Sequence, residues 1–126
     1  MFRILLVIAS VFLTACSSEV TTTAPQQWKD LTFRIEARPP QLRPGMVEFL
    51  VIANRDVKKR AHDLLVSIRM GEMGKWTQAI QDGHTGVYRR AIKVLDPDSD
   101  ILMVHVKYKG EEKLFAFPLA EFDVRT

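Results

Sequence analysis

Cysteine is nearly absent: Cys16 is the only one in 126 residues, so no disulfide can form within the chain. Long apolar runs are also missing. The longest, from Ile4 to Leu13 with Ser10 inside it, has ten residues, about half of the roughly 20 that a helix needs to span a bilayer. Neither sign of charge dominates. The 18 Lys and Arg against 15 Asp and Glu leave a formal +3, too small a surplus for a nucleic-acid footprint. Beyond residue 27 the only serines are Ser67, inside a strand pattern, and Ser99, in an acidic turn. Neither has the neighbouring base and oxyanion donors that a serine nucleophile requires. These absences argue for a protein that is not an enzyme. Apolar residues at 47% and charged residues at 26% are the ordinary balance of a globular chain.

What is present begins with a short cationic start, Met1, Phe2, Arg3, followed by the apolar run and then Leu13, Thr14, Ala15, Cys16. That order resembles a lipoprotein signal, with small residues for a signal peptidase and a thiol for acylation. The expected organisation is a signal peptide over 1–15, a lipidated Cys16 with a flexible spacer over 16–27, and one domain over 28–126. Cleavage after Ala15 leaves 111 residues (126 − 15), enough for a single modest core. In lipoproteins of this kind an Asp directly after the cysteine signals inner-membrane retention. Ser17 stands there, which leans toward an outer-membrane, periplasm-facing anchor.

From Trp28 onward, turn residues punctuate short apolar runs. Phe33, Ile35 and Ala37 alternate with charged residues, and Pro39, Pro40, Pro44 and Gly45 close that strand. Val47, Phe49, Val51 and Ala53 share a face of the next, with Leu50 and Ile52 half covered on the other. Further strands are expected over 64–70, 75–81, 87–95, 102–108 and 114–119. Seven strands without helical periodicity predict an immunoglobulin-like antiparallel sandwich. Alternate loops of such a sandwich lie at opposite ends. Loops 54–62, 82–86 and 109–112 are expected together at the end where the spacer joins, and loops 38–45, 70–74 and 96–100 at the other.

Over residues 54–117 the order of features resembles the YtkA-like domain, a small immunoglobulin-like fold of secreted and lipid-anchored bacterial proteins. The resemblance is carried by the strand over 64–70, the hairpin Met70, Gly71, Glu72, Met73, Gly74, the entry Gly86, Val87, Tyr88, and the final Phe115, Ala116, Phe117. Where that family often has Gly then Trp before its penultimate strand, this chain has Asp98, Ser99, Asp100, Ile101. The resemblance implies the fold and, through some relatives, a place near copper or respiratory-oxidase functions.

The candidate sites follow from side-chain chemistry. Met70 and Met73 offer two thioethers in one hairpin, donors suited to copper. A strand of six residues spans about 20 Å, so that hairpin cannot share an ion with His62 or His84 at the other end. His105 is the third and last histidine. Arg55, Lys58, Lys59 and Arg60 form a basic loop expected to face the bilayer or a partner. Asp96, Asp98 and Asp100 lack the glycine-bearing loop of a calcium hand and are expected to make a turn. The function expected is a non-enzymatic, membrane-anchored binding or accessory module for an envelope protein partner, with no resident cofactor. The alternative is copper handling through Met70 and Met73.

Overall fold

The computed structural model describes residues 19–55 and 59–125. The expected signal peptide over 1–15, Cys16, Ser17 and Lys58 lie outside the described residues. Eleven strands among the described residues form two antiparallel sheets: β1 Val20–Thr22, β2 Gln26–Trp28, β3 Leu31–Arg38, β4 Gly45–Asn54, β5 Leu65–Met70, β6 Thr77–Gln78, β7 Ile80–Gln81, β8 Val87–Val94, β9 Ile101–Tyr108, β10 Glu111–Pro118 and β11 Asp123–Arg125. The larger sheet runs β11-β1-β3-β4-β8-β7, with β2 also paired to β3. The smaller runs β10-β9-β5-β6. The chain is therefore an all-β sandwich of seven and four strands.

Period-two patterning places the core. Leu31, Phe33, Ile35 and Ala37 from β3 and Val47, Phe49, Val51 and Ala53 from β4 face Val66, Ile68, Leu102, Val104, Val106, Phe115 and Phe117 of the smaller sheet, all of them buried. The rings of Phe33 and Phe115 meet across the interior at 4.9 Å. Tyr88 is buried among them, and its hydroxyl donates to the Ala61 carbonyl at 2.9 Å and accepts the Leu64 N–H at 3.1 Å. This one side chain therefore fastens the segment before β5 to the larger sheet.

Three features differ from the sequence expectation. Leu50 and Ile52, expected to be partly covered, are only 4% exposed each, although they face away from the core. In register beside them stand Arg34, Glu36 and Arg89, whose long stems cover aliphatic surface while their heads reach water. The segment over 75–81 is two strands. Thr77–Gln78 pairs with β5, Ile80–Gln81 pairs with β8, and buried Ala79 between them donates its N–H to the Val66 carbonyl at 2.8 Å. The chain thus crosses from one sheet to the other and closes one side of the sandwich.

The third difference concerns the spacer. Val20–Thr22 and Gln26–Trp28 belong to the larger sheet, where β1 and β2 flank the same edge of β3 with Thr23, Ala24 and Pro25 between them. β-branched Thr21, Thr22 and Thr23 suit a strand, and all three are buried. Thr23 both donates its N–H to the Ile35 carbonyl and accepts the Ile35 N–H on its hydroxyl, each at 3.0 Å, so the break costs the ladder no hydrogen bond. The ordered domain begins by Val20 rather than at Trp28.

The loops sort into two ends as expected. Gly45 pairs with Val94, and the Gly71 N–H reaches the Ile101 carbonyl at 2.8 Å, gathering the loops over 38–45, 70–74 and 96–100. At the other end Asn54 bridges Arg60 and the Ala53 N–H meets the Gly86 carbonyl at 2.9 Å. The entry point is reversed, however. Thr21 pairs with Ala37, and its hydroxyl donates to the Pro40 carbonyl. The chain therefore enters beside the 38–45 loop and runs along β3 before turning back at Lys29. The basic loop over 54–60 lies at the opposite end, about 20–25 Å away by the rise of an eight-residue strand.

Candidate functional site

The smaller sheet turns Leu65, Ser67 and Arg69 from β5, Met103, His105 and Lys107 from β9, and Glu112, Leu114 and Ala116 from β10 to the outside, because their neighbours along each strand fill the core. Leu65 is 44% and Leu114 48% exposed. Trp76, 42% exposed, leans over this face from the segment before β6. Leu65, Ser67, Trp76, His105, Lys107 and Leu114 line an open groove of about 310 Å³. The His105 ring lies 5.7 Å from that of Trp76, and the Arg69 guanidinium stacks 4.5 Å from the centre of the same indole.

Electrostatics around the groove are uneven. Glu112 sits 3.4 Å from the Lys107 ammonium and 3.6 Å from the His105 imidazole. Its carboxyl is held below its ordinary range, first by the hydrogen bond from Lys107 and its charge, with a smaller contribution from His105. Arg69 has no carboxylate partner among the described residues, and its Nε is buried with no hydrogen-bond acceptor. A stacked arginine with an unsatisfied donor, beside an exposed tryptophan, has the composition of a binding hot spot. The sequence reading missed this face. Its available signal was that Leu114, Phe115, Ala116 and Phe117 are continuous, so one strand carries apolar side chains on both faces.

The sequence-derived candidates are distributed differently. Arg55 is committed to structure: its guanidinium donates to both carboxylate oxygens of Asp63 at 2.8 and 3.0 Å and to the Tyr108 hydroxyl at 2.8 Å. For Asp63, burial raises the carboxyl's pKa, but the hydrogen bonds from Arg55 and from its own backbone N–H, with Arg55's charge, leave it below the ordinary value. Arg60 donates to the Asn54 side-chain carbonyl at 3.1 Å, and the Lys59 carbonyl accepts the Arg55 N–H at 3.0 Å. These contacts hold Arg55, Lys59 and Arg60, and the chain enters the domain at the other end. The expectation that the basic loop shares an end with the chain's entry is thereby corrected.

Met70 packs partly buried against the core, whereas Met73 is 98% exposed and so touches almost nothing. One thioether thus sits against the core and the other in solvent. Asp96 accepts the Asp98 N–H at 3.0 Å and the Ser99 hydroxyl at 2.8 Å, which holds its carboxyl below the ordinary range. Asp100 accepts the N–H groups of Leu95 and Asp96 at 2.8 and 3.0 Å. The acidic cluster is turn chemistry. Among the described residues no three His, Cys, Asp or Glu side chains group to hold a metal, and no helix is long and apolar enough to cross a membrane. His62 and His84 do meet, with ring centres 5.6 Å apart and planes at 87°. Comparison with known protein families, curated proteins and solved structures found no match for this chain.

Proposed function

We propose that this protein is a non-enzymatic, lipid-anchored module of the bacterial envelope, held on the periplasmic side through Cys16, whose immunoglobulin-like, YtkA-like sandwich docks an envelope protein on the outer face of its smaller sheet. The observation that carries the reading is the groove of Leu65, Trp76 and Leu114 beside an arginine without an acidic partner. The chemistry that fits is a protein segment offering an apolar side chain to the groove and a carboxylate to Arg69. Enzymes need converging reactive groups, whereas a hot-spot face needs only exposure and complementarity.

The anchor geometry supports the same reading. Cys16 lies three residues before Glu19, a span of at most about 11 Å. Lipid at Cys16 keeps the end carrying the 38–45 loop near the membrane, most simply the outer membrane. The groove then faces sideways, clear of the headgroups. The test is a photocrosslinking amino acid at position 114 of the full-length protein in its native envelope. A discrete adduct that disappears with Trp76→Ala and with Arg69→Glu, but persists with Lys93→Glu on the other sheet, supports the reading. An adduct indifferent to Trp76 and Arg69, or none, overturns it. In parallel, Cys16→Ser should move the protein from the membrane to the soluble fraction; a Cys16→Ser protein that stays with the membrane refutes the anchor.

A further inference from the structure

We infer that His62 and His84 form a two-histidine site for a divalent transition ion, with Cu(II) the ion it takes most strongly. The site is independent of the docking face and lies at the end of the sandwich opposite the chain's entry. Two imidazoles on one ion, with metal–nitrogen bonds of about 2.0 Å, put their ring centres roughly 5–6.5 Å apart. The observed 5.6 Å falls inside that window, so the two rings already stand at the separation that a shared ion requires.

The backbone that carries the two rings is fixed. His62 lies between the two groups that Tyr88 fastens, the Ala61 carbonyl at 2.9 Å and the Leu64 N–H at 3.1 Å. His84 sits in a turn closed by the Thr85 hydroxyl, which donates to the Asp82 carbonyl at 2.6 Å. Gly86, at a φ of +74°, joins the two loops so closely that a Cβ there would meet the Ala53 carbonyl oxygen at 2.7 Å and the Ala61 nitrogen at 3.2 Å. Preorganised ligands of this kind lose little freedom on binding. The His62 Nδ1 lies 3.4 Å from the Arg60 carbonyl, and a proton on that nitrogen leaves the Nε2 lone pair for the ion, the arrangement common in metal-bound histidines.

The neighbouring carboxylates are occupied. Asp63 is taken by Arg55 through two hydrogen bonds, and Asp82 faces Arg89 at 3.5 Å. The protein therefore supplies two nitrogens and leaves the remaining positions to water or to a donor from elsewhere. Imidazole pairs of this type prefer late first-row divalent ions in the order that peaks at Cu(II), and they discriminate against calcium and magnesium, which require oxygen.

The experiment is a Cu(II) titration of the untagged full-length protein in detergent, read by electron paramagnetic resonance and by the shift in Tm. The expected result is one equivalent bound with nitrogen hyperfine structure. His62→Gln and His84→Gln should each weaken it at least about tenfold, while His105→Gln leaves it unchanged. Circular dichroism of the copper-free variants separates loss of ligand from loss of fold. The inference is overturned if the wild type takes up no copper at micromolar concentrations, or if the properly folded His62→Gln and His84→Gln proteins bind as the wild type does. Loss of the signal in His105→Gln alone also overturns it, by moving the ion to the groove.

Discussion

The outer faces of the two sheets carry similar residue types and treat them in opposite ways. On the larger sheet Leu50 and Ile52 lie at 4% exposure beneath paired charges: Arg34 bonds Glu36 on its own strand, and Arg89 bonds Glu48 at 2.8 Å across the ladder. On the smaller sheet Leu65 and Leu114 stand at 44% and 48%, and Arg69 among them has no acid among the described residues. Two cation–anion pairs cover the centre of one face, around Leu50 and Ile52, and leave Met46 and Ile80 open toward its margins. One cation stacked on an open indole leaves the apolar centre of the other uncovered. Patterning alone does not separate them, since both alternate with a well-filled core.

The largest expected break in that comparison is Leu50→Ala. Removing a buried aliphatic group should cost about 2–3 kcal/mol in urea unfolding, whereas Leu65→Ala and Leu114→Ala should stay within about 0.5 kcal/mol. Equal costs on both faces would mean that the groove is structural rather than free. Next in size, Arg89→Ala should cost about 1 kcal/mol, because it uncovers Leu50 as well as removing the bond to Glu48. Arg69→Met should leave stability within about 0.5 kcal/mol, since it removes a donor that has no acceptor, and yet should abolish the crosslink from position 114. A destabilisation by Arg69→Met as large as that of Arg89→Ala would erase the distinction between the faces.

The strands of both sheets were readable because a buried face leaves its period in the sequence. Val47, Phe49, Val51 and Ala53 announce their strand, and so do Leu102, Val104 and Val106. Thr21 and Thr22 of β1 and the following Thr23 announce nothing, since β-branched polar residues read equally as a spacer. Only the Ile35 partner shows that Thr23 substitutes for a broken ladder. That missed pair of strands also reversed the end at which the chain joins the domain, and with it the orientation of the basic loop. The candidate site was hidden for a different reason. Trp76, Arg69 and His105 come from three segments, and no spacing in the sequence records that their side chains meet above one sheet. The contact of His62 with His84 was foreshadowed by the sorting of loops to a common end, though not its distance.

The smallest expected effect concerns the one acid on the open face. Glu112 is exposed and held below its ordinary pKa chiefly by Lys107, so its folded value lies under its unfolded one. A group shifted in that direction stabilises the fold at pH above the unfolded carboxylate value, and the contribution disappears as pH falls through the lower, folded value. Wild type and Glu112→Gln should therefore differ slightly at pH 7, with the wild type the more stable. The two should coincide once acid has protonated Glu112 in both states. Exposure and salt screening keep the difference small. Urea midpoints of both proteins between neutral and acidic pH check this. On the larger sheet, Glu48→Gln should be more damaging at neutral pH, because Arg89, which covers Leu50, is held by Glu48. If instead Glu112→Gln were the costlier change, the open face would depend on its charges for stability, and the contrast between the two exteriors would fail.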